Sequence, residues 1–325
     1  MIYLKYALIL WCLGLLIGTL IPMFRTKTWW LRAWTYARIQ ILCLTGLTLV
    51  IWHLAFGFES RWTAVIVIGA VVIAVLCLRD ILPFTPLGQK QTPRLSPNSG
   101  NKSVKLLVGN VLMENESHVG LLDIIDETGP DIVFLVETDE KWRDYMSSLE
   151  GRFPHKYLLP LPDFNGMLFY SQFPILDVQE RYLVQDHIPS LTVELDIGDG
   201  DRLKFYGLHP RPPRPEDDTA DLDKELEIVA KEVDSPSMPI IVTGDLNDVG
   251  WSTTTKRFLR LSKLKDPRRG RGLFNSYNAK NPIVRWPLDH VFHSDHFGLI
   301  SLRRMPAFGS DHFPIFVELG INKIG

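Results

Sequence analysis

Three long apolar stretches without charged side chains open the chain, at residues 7–24, 39–58 and 62–78. Each has about the 20 residues that a helix needs to cross roughly 30 Å of hydrocarbon. The pattern predicts a membrane anchor over residues 1–82 with three transmembrane helices. The alternatives are a cleaved signal peptide for the first stretch and buried core helices for the others. The first stretch lacks a strongly basic start, and two more stretches follow it at once, which favours the membrane helices.

Beyond residue 103 the pattern changes to short apolar runs that alternate with helical periodicity. The strand-like runs lie at residues 104–113, 131–138, 167–171, 191–197, 202–208, 239–243, 289–293, 299–304 and 313–319. Helical patterns begin at Ser117 and cover 139–150, 216–234 and 252–264, the last with Ser252 or Thr253 as N-cap. This alternation predicts an α/β or α+β sandwich over residues 104–325.

Between the two parts, residues 83–103 contain Pro83, Pro86, Pro93 and Pro97 together with Ser and Gly. This composition predicts a Pro-rich linker that acts as an extended polar tether.

Aromatic and basic residues beside the apolar stretches indicate how the chain lies in a membrane. Four tryptophans flank the stretches, as in an interfacial belt: Trp29, Trp30, Trp34 and Trp62. The loop after the first stretch holds Arg25, Lys27, Arg32 and Arg38, whereas the next loop holds only Arg61. By the positive-inside rule we expect a multi-pass protein of the plasma or inner membrane, with the C-terminal domain on the cytoplasmic side.

Charge is divided between the two parts. Residues 1–100 hold 9 Lys and Arg against 2 Asp and Glu, and the rest of the chain holds 26 against 35. An acidic C-terminal domain weakens the case for a general nucleic-acid binder, although a basic run at 256–271 is either a solvated face or a grip for a polyanion. The three cysteines, Cys12, Cys43 and Cys77, lie in the apolar stretches. They leave no disulfide framework or cysteine metal site for the later domain.

Polar residues stand where several buried runs stop, which is where rigid scaffolds often present catalytic groups. They are Asn110, Glu137, His209, Asp245, Asn247, Asp289, Asp311 and His312. Taken singly, each has a structural interpretation: Asp245 suits an Asx-turn, and His209 a satisfied loop histidine. Together they supply carboxylates for a hard cation, carboxamides for phosphate or water, and imidazoles that pair with carboxylates. Those are the groups that cleavage of a phosphate ester requires.

The order of six short motifs strengthens this interpretation: GNV (109–111), VET (136–138), LHP (208–210), TGDLND (243–248), LDHVF (288–292) and GSDHFP (309–314). Over nearly all of 104–319 the chain resembles the endonuclease/exonuclease/phosphatase superfamily, which includes pancreatic deoxyribonuclease and neutral sphingomyelinases. The resemblance implies a DNase I-like, four-layered α/β sandwich behind the three predicted membrane helices.

The resemblance also implies roles for single residues. Glu137 would be the principal Mg²⁺ ligand, assisted by Asn110 and Asp311, with Mn²⁺ as a possible substitute. Asp245 would orient or deprotonate the attacking water, and Asn247 would hold that water or a phosphoryl oxygen. His312, oriented by Asp289, would bind the scissile phosphate, and His209 would be a second phosphate contact. One position departs from part of the superfamily, because Leu112 stands where some nucleases carry a polar or acidic residue.

The sequence says less about the substrate. Arg211, Arg285 and Trp286 lie close in sequence to the expected site and are candidate substrate contacts. We therefore expect a membrane-anchored phosphoesterase acting on nucleic acid or on a phospholipid or small phosphoester. The bilayer would contact its N-terminal helices, and no protein partner is evident. The alternative is a membrane-bound binding or scaffolding module that keeps the fold without turnover, but Glu137, Asp245 and His312 are all retained.

Overall fold

The computed structural model describes residues 1–24, 28–57, 60–97, 102–212, 220–234 and 237–321. In the N-terminal part of the chain, three long helices pack against one another: α1 (Ile2–Leu20), α3 (Arg38–Phe56) and α4 (Arg61–Ile81). All three are long and apolar enough to cross a membrane. A short helix, α2 (Trp29–Ala33), lies in the loop between α1 and α3, which we call the first loop (residues 24–37). Arg25 and Lys27 of the predicted charge signal lie outside the described residues.

Two mixed sheets build the C-terminal domain. The first has the strand order β10-β11-β1-β2-β4-β3, and the second has the order β5-β6-β7-β8-β9. The strands are β1 (Ser103–Asn110), β2 (Ile132–Val136), β3 (His155–Leu159), β4 (Met167–Ser171), β5 (Ile175–Arg181), β6 (Ser190–Asp196), β7 (Arg202–Gly207), β8 (Ile240–Asp245), β9 (Asp289–His293), β10 (Phe297–Arg304) and β11 (Ile315–Ile321). The helices of this domain are α5 (His118–Thr128), α6 (Glu140–Tyr145), α7 (Ala220–Glu232) and α8 (Thr253–Ser262).

The layers follow from which face of each strand is apolar. Phe134 of the first sheet and Phe205 of the second meet edge to face between the sheets, with ring centroids 5.4 Å apart. The outer face of the first sheet packs on α5 and α6, and that of the second on α7 and α8. Central strands such as β2, buried at all five positions, therefore appear in sequence as continuous apolar runs. The predicted four-layered sandwich is confirmed.

Two strands were not predicted from the sequence, and both lie at a sheet edge. β3 closes one side of the first sheet, and β5 closes one side of the second. Both are only partly buried along their length. A strand that packs weakly on either face carries no continuous apolar run, so the pattern does not reveal it.

The predicted tether is corrected by the structure. In the described part of residues 83–103, Phe84 and Thr92 are buried, and Leu95 N donates to Leu299 O at 2.9 Å. Leu299 N donates to Pro93 O at 2.8 Å, so the segment lies along β10 as an added stretch of chain. Proline lacks the N–H but keeps the carbonyl acceptor, which is why a Pro-rich segment can pack at a sheet edge. Residues 98–101 lie outside the described part of the chain.

The first loop is docked on the C-terminal domain. The Arg32 guanidinium enters the groove between α7 and α8, where it lies 3.1 Å from Asp223 Oδ1 and 3.4 Å from Asp248 Oδ2. Trp251 Nε1 donates to Thr35 O at 2.7 Å. Arg38, another cation of the predicted charge signal, is buried against Asp80 at 3.1 Å. The described arginines of the first loop and α3 thus pair with acids of the chain. Their positive charge is therefore weaker evidence for which side of the membrane these segments occupy.

Candidate active site

Strand register brings the predicted site residues together. Asn110 ends β1 and Glu137 follows β2, its parallel neighbour, in which Val136 is in register with Asn110. In the second sheet, Asp245 ends β8 opposite Asp289, the first residue of β9. The ends of both pairs meet at one rim of the sandwich, so side chains far apart in sequence share one pocket.

Asn110 bridges carboxylates of the two sheets. Its Nδ2 donates to Glu137 Oε1 at 2.7 Å and to Asp245 Oδ2 at 3.0 Å, while its Oδ1 accepts from Leu112 N at 2.9 Å. In this orientation the amide nitrogen, not the oxygen, faces the carboxylates. Direct ligation of a metal by Asn110 requires the amide to turn, so that role stays a prediction.

His312 is held between two carboxylates. Its Nδ1 donates to Asp289 Oδ2 at 2.7 Å, and its Nε2 lies 3.5 Å from Asp245 Oδ2. Burial alone would lower the pKa of His312, but the charges of Asp289 and Asp245 raise it to about 10. The ring is therefore an imidazolium at neutral pH, a fixed positive charge of the kind that stabilises a phosphate oxyanion.

His209 faces the same carboxylates without a hydrogen bond of its own. Its Nε2 lies 3.8 Å from Glu137 Oε1 and 4.0 Å from Asp245 Oδ2, and both ring nitrogens are buried and unpartnered within the described structure. Buried polar atoms are normally satisfied, so two orphaned nitrogens on a ring beside these carboxylates indicate that a further group binds here.

The pKa values of the two central carboxylates are shifted in opposite directions. Burial raises the pKa of Glu137, although His209 and Asn110 oppose that rise. Burial would also raise the pKa of Asp245, but the charges of His312 and His209 overcome it and lower that pKa. The two carboxylates therefore lie in different electrostatic surroundings, although both are buried.

The donor set fits a hard divalent cation. Ligand atoms of Glu137, His209 and Asp245 lie within 4.8 Å of one another, and so do those of Asp245, Asp289 and His312. Carboxylate oxygens are the donors that Mg²⁺ prefers, whereas Mn²⁺ also accepts an imidazole nitrogen. Asp311 belongs to neither group among the described residues, and its carbonyl accepts from Ala279 N at 2.7 Å. Its predicted ligand role is untested.

Backbone conformation fixes two of these loops. Glu137 and Asn247 have φ values of 59° and 49°, in the left-handed region that non-glycine residues seldom adopt and that is enriched at functional sites. Gly244 has φ 138°, and a Cβ there would lie 1.9 Å from Leu208 O. Only glycine allows β8 to approach the end of β7 this closely, which sets Asp245 beside His209.

Asn247 is held by its neighbours on both sides. Its N donates to Asp245 Oδ1 at 2.9 Å, and its Nδ2 donates to Pro210 O at 3.1 Å. Its carbonyl accepts from the hydroxyl of Tyr36, a residue of the first loop, at 2.5 Å. No sequence pattern predicts this contact, because Tyr36 lies among tryptophans that indicate only a membrane interface.

A model of the Endonuclease/Exonuclease/phosphatase family matches residues 108–312. The chain belongs to this family. That span contains every residue assigned above to the candidate site. No curated protein matches the chain in sequence.

Solved structures of the family share the fold. The catalytic domain of human Nocturnin with bound sulfate is 17% identical, with a TM-score of 0.56 over 70% of this chain and 99% of that one. An endonuclease/exonuclease/phosphatase from Beutenbergia cavernae is 17% identical, with a TM-score of 0.55 over 68% and 72%. D. rerio TDP2 complexed with single-strand DNA product is 15% identical, with a TM-score of 0.53 over 68% and 100%. At these identities the likeness shows the fold alone.

The three residues predicted to contact the substrate, Arg211, Arg285 and Trp286, have different surroundings. Trp286 packs between Tyr36 and Tyr277, with ring centroids at 5.7 and 6.1 Å, and Tyr277 lies 5.0 Å from the His312 ring. Arg285 donates to Asn278 O at 2.9 Å, so its guanidinium is occupied by its own loop. Arg211 is half-buried two residues after His209. Tyr277, which forms one wall of the site, was missed by the sequence analysis.

Most of the basic run at 256–271 is paired within the chain. The ion pairs are Lys256 with Asp80, Arg257 with Glu227, Lys263 with Asp234, Lys265 with Asp295, and Arg268 with Asp266. A polyanion would have to compete with these acids. The run is therefore poorly suited to bind nucleic acid. Lys256 instead joins α8 to the C-terminal end of α4.

Proposed function

We propose that the protein is a membrane-anchored, divalent-metal-dependent hydrolase that cleaves a phosphoester bond by in-line attack of water. One arrangement carries the proposal: ligand atoms of Glu137, Asp245 and the unpartnered His209 lie within 4.8 Å of one another. His312, fixed by Asp289, lies beside them, with its Nε2 3.5 Å from Asp245 Oδ2. The family's hydrolases act on phosphoester bonds, and this donor set has the groups that such a reaction uses.

Each side chain has a definite task in this proposal. Glu137 would hold the cation, Mg²⁺ by preference, which supplies Lewis-acid polarisation of the phosphoryl oxygens when bound. Asp245, ionised at neutral pH, orients the attacking water and receives its proton. The His312 imidazolium, fixed by Asp289, neutralises charge that develops on phosphorus oxygens. Asn247 and His209 complete the contacts to water and phosphate.

The contact between Arg32 and Asp248 supports the three-span topology. Two membrane crossings separate the first loop from the C-terminal domain, so both must lie on one side of the membrane if they are to touch. Arg32 touches Asp223 and Asp248 of that domain. The other basic residues of these segments, Arg25, Lys27 and Lys90, favour the cytoplasmic side.

The test uses the full chain in detergent, because Tyr36 of the docked first loop contacts Asn247 and Trp286 beside the site. Hydrolysis of bis(4-nitrophenyl) phosphate is measured with Mg²⁺, with Mn²⁺ and with chelator. Chelator should abolish turnover, and added Mg²⁺ should restore it. Glu137→Gln should lower the rate about 100-fold, since a metal contributes several kcal/mol to charge stabilisation.

Glu140→Gln, an exposed change three residues away on α6, is the matched control and should keep its rate. Binding of Mg²⁺ and inorganic phosphate without any turnover would instead favour the non-catalytic binding module.

A further inference from the structure

The loop of residues 278–285 forms a rigid turn beside the candidate site. The backbones of Tyr277 and Trp286 pair at its base, where Tyr277 N donates to Trp286 O at 2.9 Å. Inside the loop, Asn278 Oδ1 accepts from Lys280 N at 2.7 Å, and Asn281 Oδ1 accepts from Ile283 N at 2.9 Å. These side-chain acceptors fix the turn, so its outer residues are presented in a defined position.

Those outer residues are apolar and exposed. The apolar tip, residues 282–284, consists of Pro282, Ile283 and Val284, and the last two are 75% and 36% exposed. Other exposed large apolar side chains in the described C-terminal domain, such as Val119 and Leu176, stand singly. Single exposed residues need no explanation, but a neighbouring set on a fixed turn indicates a contact surface.

The position of the tip identifies what it contacts. Gln40 Nε2 donates to Ile283 O at 2.7 Å, and Gln40 is the third residue of α3, a candidate membrane span. With a rise of 1.5 Å per residue, Gln40 lies about 3 Å along the axis from the start of that helix. The tip therefore stands at the level of the first turn of the span, where the bilayer surface would lie.

A strip of aromatic rings joins this level to the candidate active site. Trp286 follows the loop and stacks on Tyr277, and Tyr277 contacts the His312 ring. Tyr36, two residues before α3 begins, packs on the other side of Trp286. Three successive ring contacts thus connect the imidazole of His312 to Tyr36, just before the start of α3.

We infer that the apolar tip inserts into the bilayer surface and that the site takes the phosphoester group of a membrane lipid. This rests on the proposed function. The oxygen of water bonds to phosphorus, and the bond from phosphorus to one ester oxygen breaks. One proton of the water ends on the departing alcohol, and the remaining O–H stays on the phosphate. A nucleic acid fits less well, since most cations of the basic run are already paired.

The inference is tested on the full chain in nanodiscs of phosphatidylethanolamine, phosphatidylglycerol and phosphatidylinositol. The measured quantity is a ratio: the rate of headgroup or diacylglycerol release, divided by the rate of hydrolysis of soluble bis(4-nitrophenyl) phosphate in the same sample. Ile283→Asn should lower this ratio about tenfold, because the variant loses the favourable transfer of an isoleucine side chain from water into the bilayer. Leu176→Asn is the matched control, exposed on β5 at the far edge of the second sheet, and should leave the ratio unchanged.

A second readout does not depend on turnover. A fluorophore on Ile283→Cys, in a Cys43→Ser background, should be quenched by nitroxide-labelled lipids more strongly than one on Leu176→Cys. Equal quenching at both positions overturns the insertion. Turnover of the soluble ester or of plasmid DNA, but of none of the three lipids, overturns the substrate class. Failure on every substrate overturns the proposed function itself.

Discussion

Asp245, the last residue of β8, and Asp248, three residues later, are both buried, yet their surroundings differ. Asp245 faces the open site and is surrounded by Asn110 and two imidazoles, and its pKa is lowered. Asp248 faces the first loop, where its Oδ2 meets Arg32 and the hydroxyls of Ser252 and Thr255. Burial dominates there, so the pKa of Asp248 is raised despite Arg32, and its Oδ1 has no partner in the described structure.

The difference separates a reacting group from a structural one. Around Asp245, both nitrogens of His209 and Oδ1 of Asp289 have no partner among the described residues, and both side chains belong to the groups that could hold a cation. Around Asp248, Arg32 and the hydroxyls of Ser252 and Thr255 all hold Oδ2, so this carboxylate is tied to other parts of the chain. If the proposed function is correct, one turn of chain serves both catalysis and attachment of the domain to the N-terminal helices.

The largest expected effect comes from the same substitution at both positions. Asp245→Asn should lower turnover of bis(4-nitrophenyl) phosphate about 1000-fold, because the base and a partner of the imidazolium are lost. Its circular dichroism and Tm should stay near those of the unchanged chain. Asp248→Asn is the control and should keep turnover within about tenfold while its Tm changes. Near-normal turnover in Asp245→Asn would remove the distinction between the two residues.

A second substitution addresses the interface. Arg32→Met should destabilise the docked domain by about 3–5 kcal/mol, because it leaves the buried Asp248 carboxylate without a cation. The measurement is the Tm of the full chain in detergent. Arg79→Met is the control, since the Arg79 side chain is 54% exposed and lies 3.8 Å from Asp80. Equal Tm values for the two variants would mean that the first loop does not dock through Arg32.

The sequence indicated which polar residues lie together in the candidate site but not the interface, and the reason is physical. Glu137, Asp245 and His312 interrupt or end buried apolar runs, so a local pattern exposes them. Arg32 contacts Asp248 across 216 positions of the chain, and no local pattern encodes that pairing. The charge of Arg32 was instead interpreted by the positive-inside rule, and the prolines of 83–97 were interpreted as a tether. Both interpretations used composition, which does not record long-range contacts.

Tyr36→Phe has the smallest expected effect and connects the two regions. The change removes only the hydrogen bond to the carbonyl of Asn247, whereas the ring contact with Trp286 remains. A lost hydrogen bond is worth about 1 kcal/mol, so kcat on the soluble diester should fall by up to about tenfold. Tyr182→Phe, which loses a solvent-exposed hydrogen bond to Glu180, is the control. A lower Tm with unchanged kcat would show that Tyr36 supports the fold only. A lower kcat at unchanged KM would mean that the anchor positions Asn247 for catalysis, because uniform binding is then intact.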